Sequence, residues 1–183
     1  MQGRSVVVKA TIGYSAWHNT HAKAHKCETL SLPLSTREVS DASGDTTDMG
    51  LQYDHVKVGD ALPTLEIPIT AALIVGGALA SRDYTPVHHD TPAAKATGAQ
   101  DIFMNILTTN GLVGRYVTDW AGPDARVTHV GIKLGAPNHP GDTMKLVGSV
   151  SAKDDAKREL EVSVVGKNGW GNHVEGRVHL ALP

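Results

Sequence analysis

Asp83 and His88 stand five residues apart in the stretch 81–90, SRDYTPVHHD, and are residue types suited to moving protons. A carboxylate and an imidazole aimed at one point can take a proton from water and deliver one elsewhere, which is general acid–base catalysis. Pro86 bends the segment between them. Asp and His beside Pro also occur in ordinary turns. Spacing alone leaves both readings open.

The flanking sequence offers elements that could hold such a loop. Residues 71–80 (AALIVGGALA) favour helix, although Gly76-Gly77 weakens it. After the loop, Thr91 is a good N-cap and Pro92 suits a first helical position. Gly98 then fits just past the end of a short helix. Upstream, Val58-Gly59-Asp60 reads as a turn, and residues 62–70 as a strand. Residues 103–118 are the best long helix, with Phe103, Ile106, Leu107, Val113 and Val117 near one face. Gly111 and Gly114 lie inside it, each costing about 1 kcal/mol relative to Ala. Close approach to a surrounding sheet is the expected compensation. Ala121-Gly122-Pro123 ends the helix.

Everything downstream reads as strands. Residues 126–134 alternate, Pro140-Gly141-Asp142 turns the chain, and Met144, Leu146 and Val150 mark a strand broken at Lys153-Asp154-Asp155. Leu160, Val162 and Val164 alternate, residues 168–172 turn, and Val174, Val178, Leu180 and Leu182 make the last strand. The order predicts an α+β fold, with a curled antiparallel sheet wrapped around one long central helix. Its last four strands are expected to run as a meander.

Composition narrows the function classes. The 183 residues suggest one domain with room for a tail, and 40% hydrophobic with 20% charged residues is ordinary for a soluble globular protein. A net charge of −2 and 4% aromatic residues argue against nucleic acid as a partner. Cys27 is the single cysteine, so no internal disulfide forms, and a reducing cytoplasm is expected. No apolar run approaches the roughly 18 residues of a membrane span. Residues 1–48 read as a disordered extension, or as upstream sequence from too early a start, with residues 49–183 as the single domain. His18, His21, His25 and Cys27 are residue types that hold metal, but no second ligand cluster follows, so no metal site is expected.

The motif Asp83-Tyr84-Thr85-Pro86-Val87-His88, preceding a long helix and followed by strands, resembles the Asp-x-Asn-Pro-x-His loop of the MaoC-like (R)-specific enoyl-CoA hydratases, a family with the hotdog fold. Val58-Gly59-Asp60 and Pro140-Gly141-Asp142-Thr143 match as well, and the resemblance covers about residues 51–182. The run 101–123, DIFMNILTTNGLVGRYVTDWAGP, resembles the small catalytic hydratase subunits of actinobacterial steroid side-chain degradation. Those pair with a second hotdog subunit that lacks the acid–imidazole pair.

The resemblance implies a lyase that adds water to the 2,3 double bond of an acyl-CoA. Asp83 and His88 would jointly hold the water. The backbone N–H at Asn105, where the family has Gly, would hold the thioester oxygen. Thr85 (family Asn) and Arg82 (family Gly) depart from the pattern, and with Asn105 they imply a modified pocket for a bulkier acyl chain. CoA would enter as part of the substrate, with no separate cofactor. A homodimer or a heteromer with a second hotdog subunit is implied. A hotdog acyl-CoA thioesterase and a non-catalytic subunit completing a partner's site are the competing readings. His89 is expected in a solvent or packing role, Asp90 as a helix-start charge, His129, His173 and His179 at the surface or an interface, and Trp120 and Trp170 in core or subunit contacts.

Overall fold

Strands β1 (Leu65–Pro68), β2 (Arg126–Leu134), β3 (Thr143–Asp154), β4 (Glu159–Asn168) and β5 (Gly171–Ala181) form one antiparallel sheet in the order β1-β3-β4-β5-β2. The computed structural model describes residues 50–183. The readings of residues 1–48, including His18, His21, His25 and Cys27, lie outside them. Alternate residues of the long strands face inward. Met144, Leu146 and Val150 of β3, Leu160, Val162 and Val164 of β4, and Val174, Val178 and Leu180 of β5 are all buried. They close over helix α3 (Ile106–Ala121), which buries Thr109, Val113, Tyr116, Val117 and Ala121. A curled sheet around one central helix is the hotdog arrangement.

The expected meander of four strands is corrected to three. β2 pairs with β5 and not with β3. The eight residues 135–142 between β2 and β3 are longer than hairpin loops usually are, and they cross the end of the sheet. Asn168 fastens the β4–β5 hairpin to this crossing, donating to the Pro137 carbonyl (2.7 Å) and to Asn138 Oδ1 (2.9 Å). β1 is also shorter than expected. Pro63 precedes it and Pro68 ends it, and neither can donate to a ladder.

Helix α3 begins at Ile106, not at Phe103, because Asn105 caps it and accepts from the Thr108 N–H at 3.0 Å. The buried face turns accordingly, and Ile106 is 47% exposed. The compensation expected for Gly111 and Gly114 is absent: a methyl at either position would meet nothing within 4 Å. The close approach falls instead at Gly77 of α1 (Ala71–Ala80), where a Cβ would run into the Thr108 side chain. Gly111→Ala is therefore expected to stabilise the fold by about 1 kcal/mol, and Gly77→Ala to destabilise it. Urea midpoints of the two variants check this, and opposite signs are the expected result.

Candidate active site

The site loop leaves α1 through a left-handed residue. Arg82 has φ 57°, while its N–H and that of Ser81 cap the helix carbonyls of Leu79 and Gly77. The position just past a helix end favours Gly for this reason, which accounts physically for the Gly of the family pattern. The Asp83 N–H then donates to the Ala78 carbonyl at 2.8 Å, so the acid is anchored to the helix end. A single 3₁₀ turn at Pro86–His88 brings the imidazole back. The short helix α2 (Thr91–Ala96) follows. Its cap is Asp90, bonded to the Ala93 N–H at 2.9 Å, not Thr91, whose hydroxyl donates to Asp101.

Asp83 and His88 meet: His88 Nε2 lies 3.2 Å from Asp83 Oδ2. His88 Nδ1 lies 2.6 Å from the Phe103 carbonyl. A carbonyl only accepts, so Nδ1 carries a hydrogen. Nε2 and the carboxylate must then share a further proton, since two lone pairs would repel. The pair is a one-proton device.

Asp83 has other donors. Thr85 gives its hydroxyl to Oδ1 at 2.7 Å, and Asn105 Nδ2 reaches Oδ2 at 3.1 Å. Burial pushes the Asp83 carboxyl up, but the Thr85 hydroxyl, the Asn105 amide, the Thr85 N–H and His88 outweigh it and hold it below the usual range. Asn105 also donates to Ser81 Oγ at 2.9 Å.

A cavity of about 310 Å³ opens onto this pair, with Asp83, His88 and Asn105 on one wall and Leu134, Ala136 and His173 on the other. Asn105 is 3% exposed, and its side chain is turned back onto its own helix and onto Asp83. Thr85 and Arg82 are exposed and do not line the cavity. Of the three departures from the family motif, only Asn105 touches it. A wider trough of about 620 Å³ lies over β2, β4 and β5. Its Arg177 and His179 are paired with Glu161, and it contains neither member of the acid–imidazole pair.

His89, His129 and His179 stand at the surface, as expected, and Trp170 is exposed, with its indole N–H on Asp142. His173 does not. It is 1% exposed and lines the cavity, bonded to the Ala136 carbonyl and to Thr109. Burial pushes its imidazole below the ordinary 6.5, against the smaller pulls of the Ala136 carbonyl and Asp142. The unfolded chain therefore binds this proton more readily than the fold, so its share of stability is present above 6.5 and is lost as pH falls through the depressed value. Between pH 7.5 and 5.5, about one unit on either side of an ordinary His, the thermal midpoint should fall more in wild type than in His173→Gln. Equal slopes would refute the assignment.

Residues 55–169 match the family described as MaoC like domain. The chain belongs to the MaoC-like domain family. It is 47% identical over 125 residues, covering 68% of this chain and 95% of the relative, to the 3-oxo-4,17-pregnadiene-20-carboxyl-CoA hydratase beta subunit of Mycobacterium tuberculosis. Among solved structures, the ChsH1-ChsH2 complex from the same organism superposes with a TM-score of 0.67 at 46% identity, covering 69% of this chain and 98% of that one. The R-hydratase PhaJ1 of Pseudomonas aeruginosa gives 0.67 at 20% identity, over 73% of this chain and 86% of that one, a likeness of fold. MaoC-like membership covers the loop, α3 and most of the sheet. Among the described residues, no cluster of His, Cys, Asp and Glu stands ready to hold a metal, and no helix is long and apolar enough to cross a membrane.

Proposed function

We propose that this chain hydrates the 2,3 double bond of an enoyl-CoA, with a steroid side-chain thioester as the substrate class. The observation that carries the reading is the Asp83–His88 pair, 3.2 Å apart, opening onto a cavity beside the amino end of α3. The 47% identity to a hydratase subunit named for a steroid-derived CoA thioester supports the substrate class.

The chemistry asks for what the site offers. As water attacks C3, negative charge gathers on the thioester oxygen, and one of the water's protons passes to the pair as the proton already held there is released toward C2. The pair ends as it began, with one proton. Asp83 and His88 share this work. The thioester oxygen needs fixed donors, and the first turn of a helix leaves N–H groups unpaired and positive. The N–H at Asn105 fits that role. Thr85 acts on Asp83 by donation and not on the substrate. CoA enters as part of the substrate, with no separate cofactor in the cycle.

A second hotdog subunit is the proposed partner. β2 is an edge strand of nine residues whose end, at Leu134, forms a cavity wall. Such an edge invites pairing, and a 46%-identical chain was solved within a two-component complex. A cytoplasmic setting is proposed from the single cysteine and the CoA substrate class. The test is loss of enoyl-thioester absorbance with short-chain and steroid-side-chain enoyl-CoAs, for the chain alone and with a second hotdog subunit. Release of free CoA thiol with the double bond intact would mean a thioesterase.

A further inference from the structure

His173, at the start of β5, takes no part in the proton transfer above. Its Nδ1 lies 2.7 Å from the Ala136 carbonyl, so Nδ1 carries the hydrogen. Nε2 is then an acceptor, and the Thr109 hydroxyl donates to it from 2.9 Å, a shorter contact than its 3.4 Å to the Asn105 carbonyl. Thr109 is fully buried on α3, one turn after Asn105, and its N–H donates to the Asn105 carbonyl at 3.2 Å. Ala136 belongs to the segment crossing between β2 and β3 and lines the opposite wall. One imidazole therefore spans the cavity's two sides. The Met104 N–H also reaches across, to the Asn138 carbonyl at 3.0 Å, but it lies before α3 begins. The first turn of the helix is fastened through His173.

We propose that His173, acting through Thr109, is a positioning residue that sets the distance between the first turn of α3 and the wall formed by Ala136, and so aims the helix N–H groups at the thioester oxygen. The inference rests on the hydratase reading. An apolar pair of similar size would fill the volume but would not fix a direction, because only hydrogen bonds at both ring nitrogens do so. Asp83 and His88 across the cavity and Asp142 on the crossing segment are the titratable groups that face the ring. Burial favours the neutral imidazole, the form able to accept from Thr109.

Thr109→Val keeps the shape and removes the donor, His173→Leu removes both ring nitrogens, and Thr109→Ser retains the hydroxyl. In the full chain with its second subunit, Val and Leu should each lower kcat by roughly 10- to 100-fold, the scale of a misplaced reacting group, with KM changed less than about twofold. Ser should keep wild-type kcat. The Val–Leu double variant should be no slower than the slower single, since one link is broken in all three. Wild-type kcat in both Val and Leu variants overturns the inference, as do losses that track the folded fraction in all of them, Ser included. A wild-type assembly inert toward every enoyl-CoA would sink the hydratase reading instead. The ¹⁵N shift of His173 Nε2 then still tests the link, because it should move in Thr109→Val, and an unchanged shift overturns it.

Discussion

Asp83→Asn and His88→Gln are each expected to lower kcat for enoyl-CoA hydration by about 10²–10⁴-fold, the range for a positioned acid–base group. The double variant should be scarcely worse than either one. The reason is the shared proton. With His88 Nδ1 committed to the Phe103 carbonyl, the Nε2–Oδ2 contact of 3.2 Å holds one proton between two groups. Removing either partner ends the exchange with water. An amide in place of the Asp83 carboxylate is also badly matched to its neighbours, because both oxygens of Asp83 accept, one from Thr85 and the other from Asn105. Turned one way its NH₂ would meet the Thr85 N–H, and turned the other it would meet Asn105 Nδ2 even as it donated to His88 Nε2, so the fold should lose some stability as well. Single-turnover kinetics alongside a thermal midpoint separate the two losses. A variant pair whose defects multiply would show that Asp83 and His88 act independently and would refute the one-proton device.

The acid–imidazole loop was legible because its determinants are local. Pro86, the helix preceding it and the five-residue spacing all lie within residues 71–88, and the motif that carries the resemblance lies there too. The α+β order and the strands β3, β4 and β5 were legible for a similar reason, since period-two burial is written in each strand separately. What escaped was whatever depends on distant partners. Nothing in Arg126–Leu134 says that it pairs with Gly171–Ala181 and skips Thr143–Asp154; only the length of the intervening segment hinted at a crossing. His173 sits on a strand with ordinary alternation, and its burial follows from a Thr on α3 and a carbonyl on the crossing, 64 and 37 positions away.

The glycines show the same limit from the other side. Gly77 and Gly111 both interrupt apolar helical stretches, but only Gly77 lies where two helices cross. That distinction belongs to tertiary structure. Arg82 had a readable signal that pointed elsewhere. The family's Gly at this position reports a left-handed backbone, and the observed φ of 57° keeps that conformation with an Arg in it. The departure therefore bears on loop strain and not on pocket size.

Asn105→Pro should cost far more activity than Asn105→Ala, although both remove the same amide side chain. Asn105 has φ −77°, within the range that a proline ring permits, and it precedes the helix, so Pro fits the backbone there. The Ala variant loses the cap on Thr108, worth about 1 kcal/mol of stability, and the donor to Asp83 Oδ2. Without that donor the Asp83 carboxyl should drift back toward its ordinary value, and the acid limb of kcat/KM should move up in pH. The Pro variant loses all of this and the backbone N–H besides. Removing one oxyanion donor costs about 10²–10³-fold in kcat, so that factor should separate Pro from Ala at equal stability. Equal kcat in the two variants would place the oxyanion donors elsewhere, on the Ile106 or Leu107 N–H of the same turn. The comparison isolates one hydrogen atom, because side chain, cap and carboxylate partner are missing from both proteins.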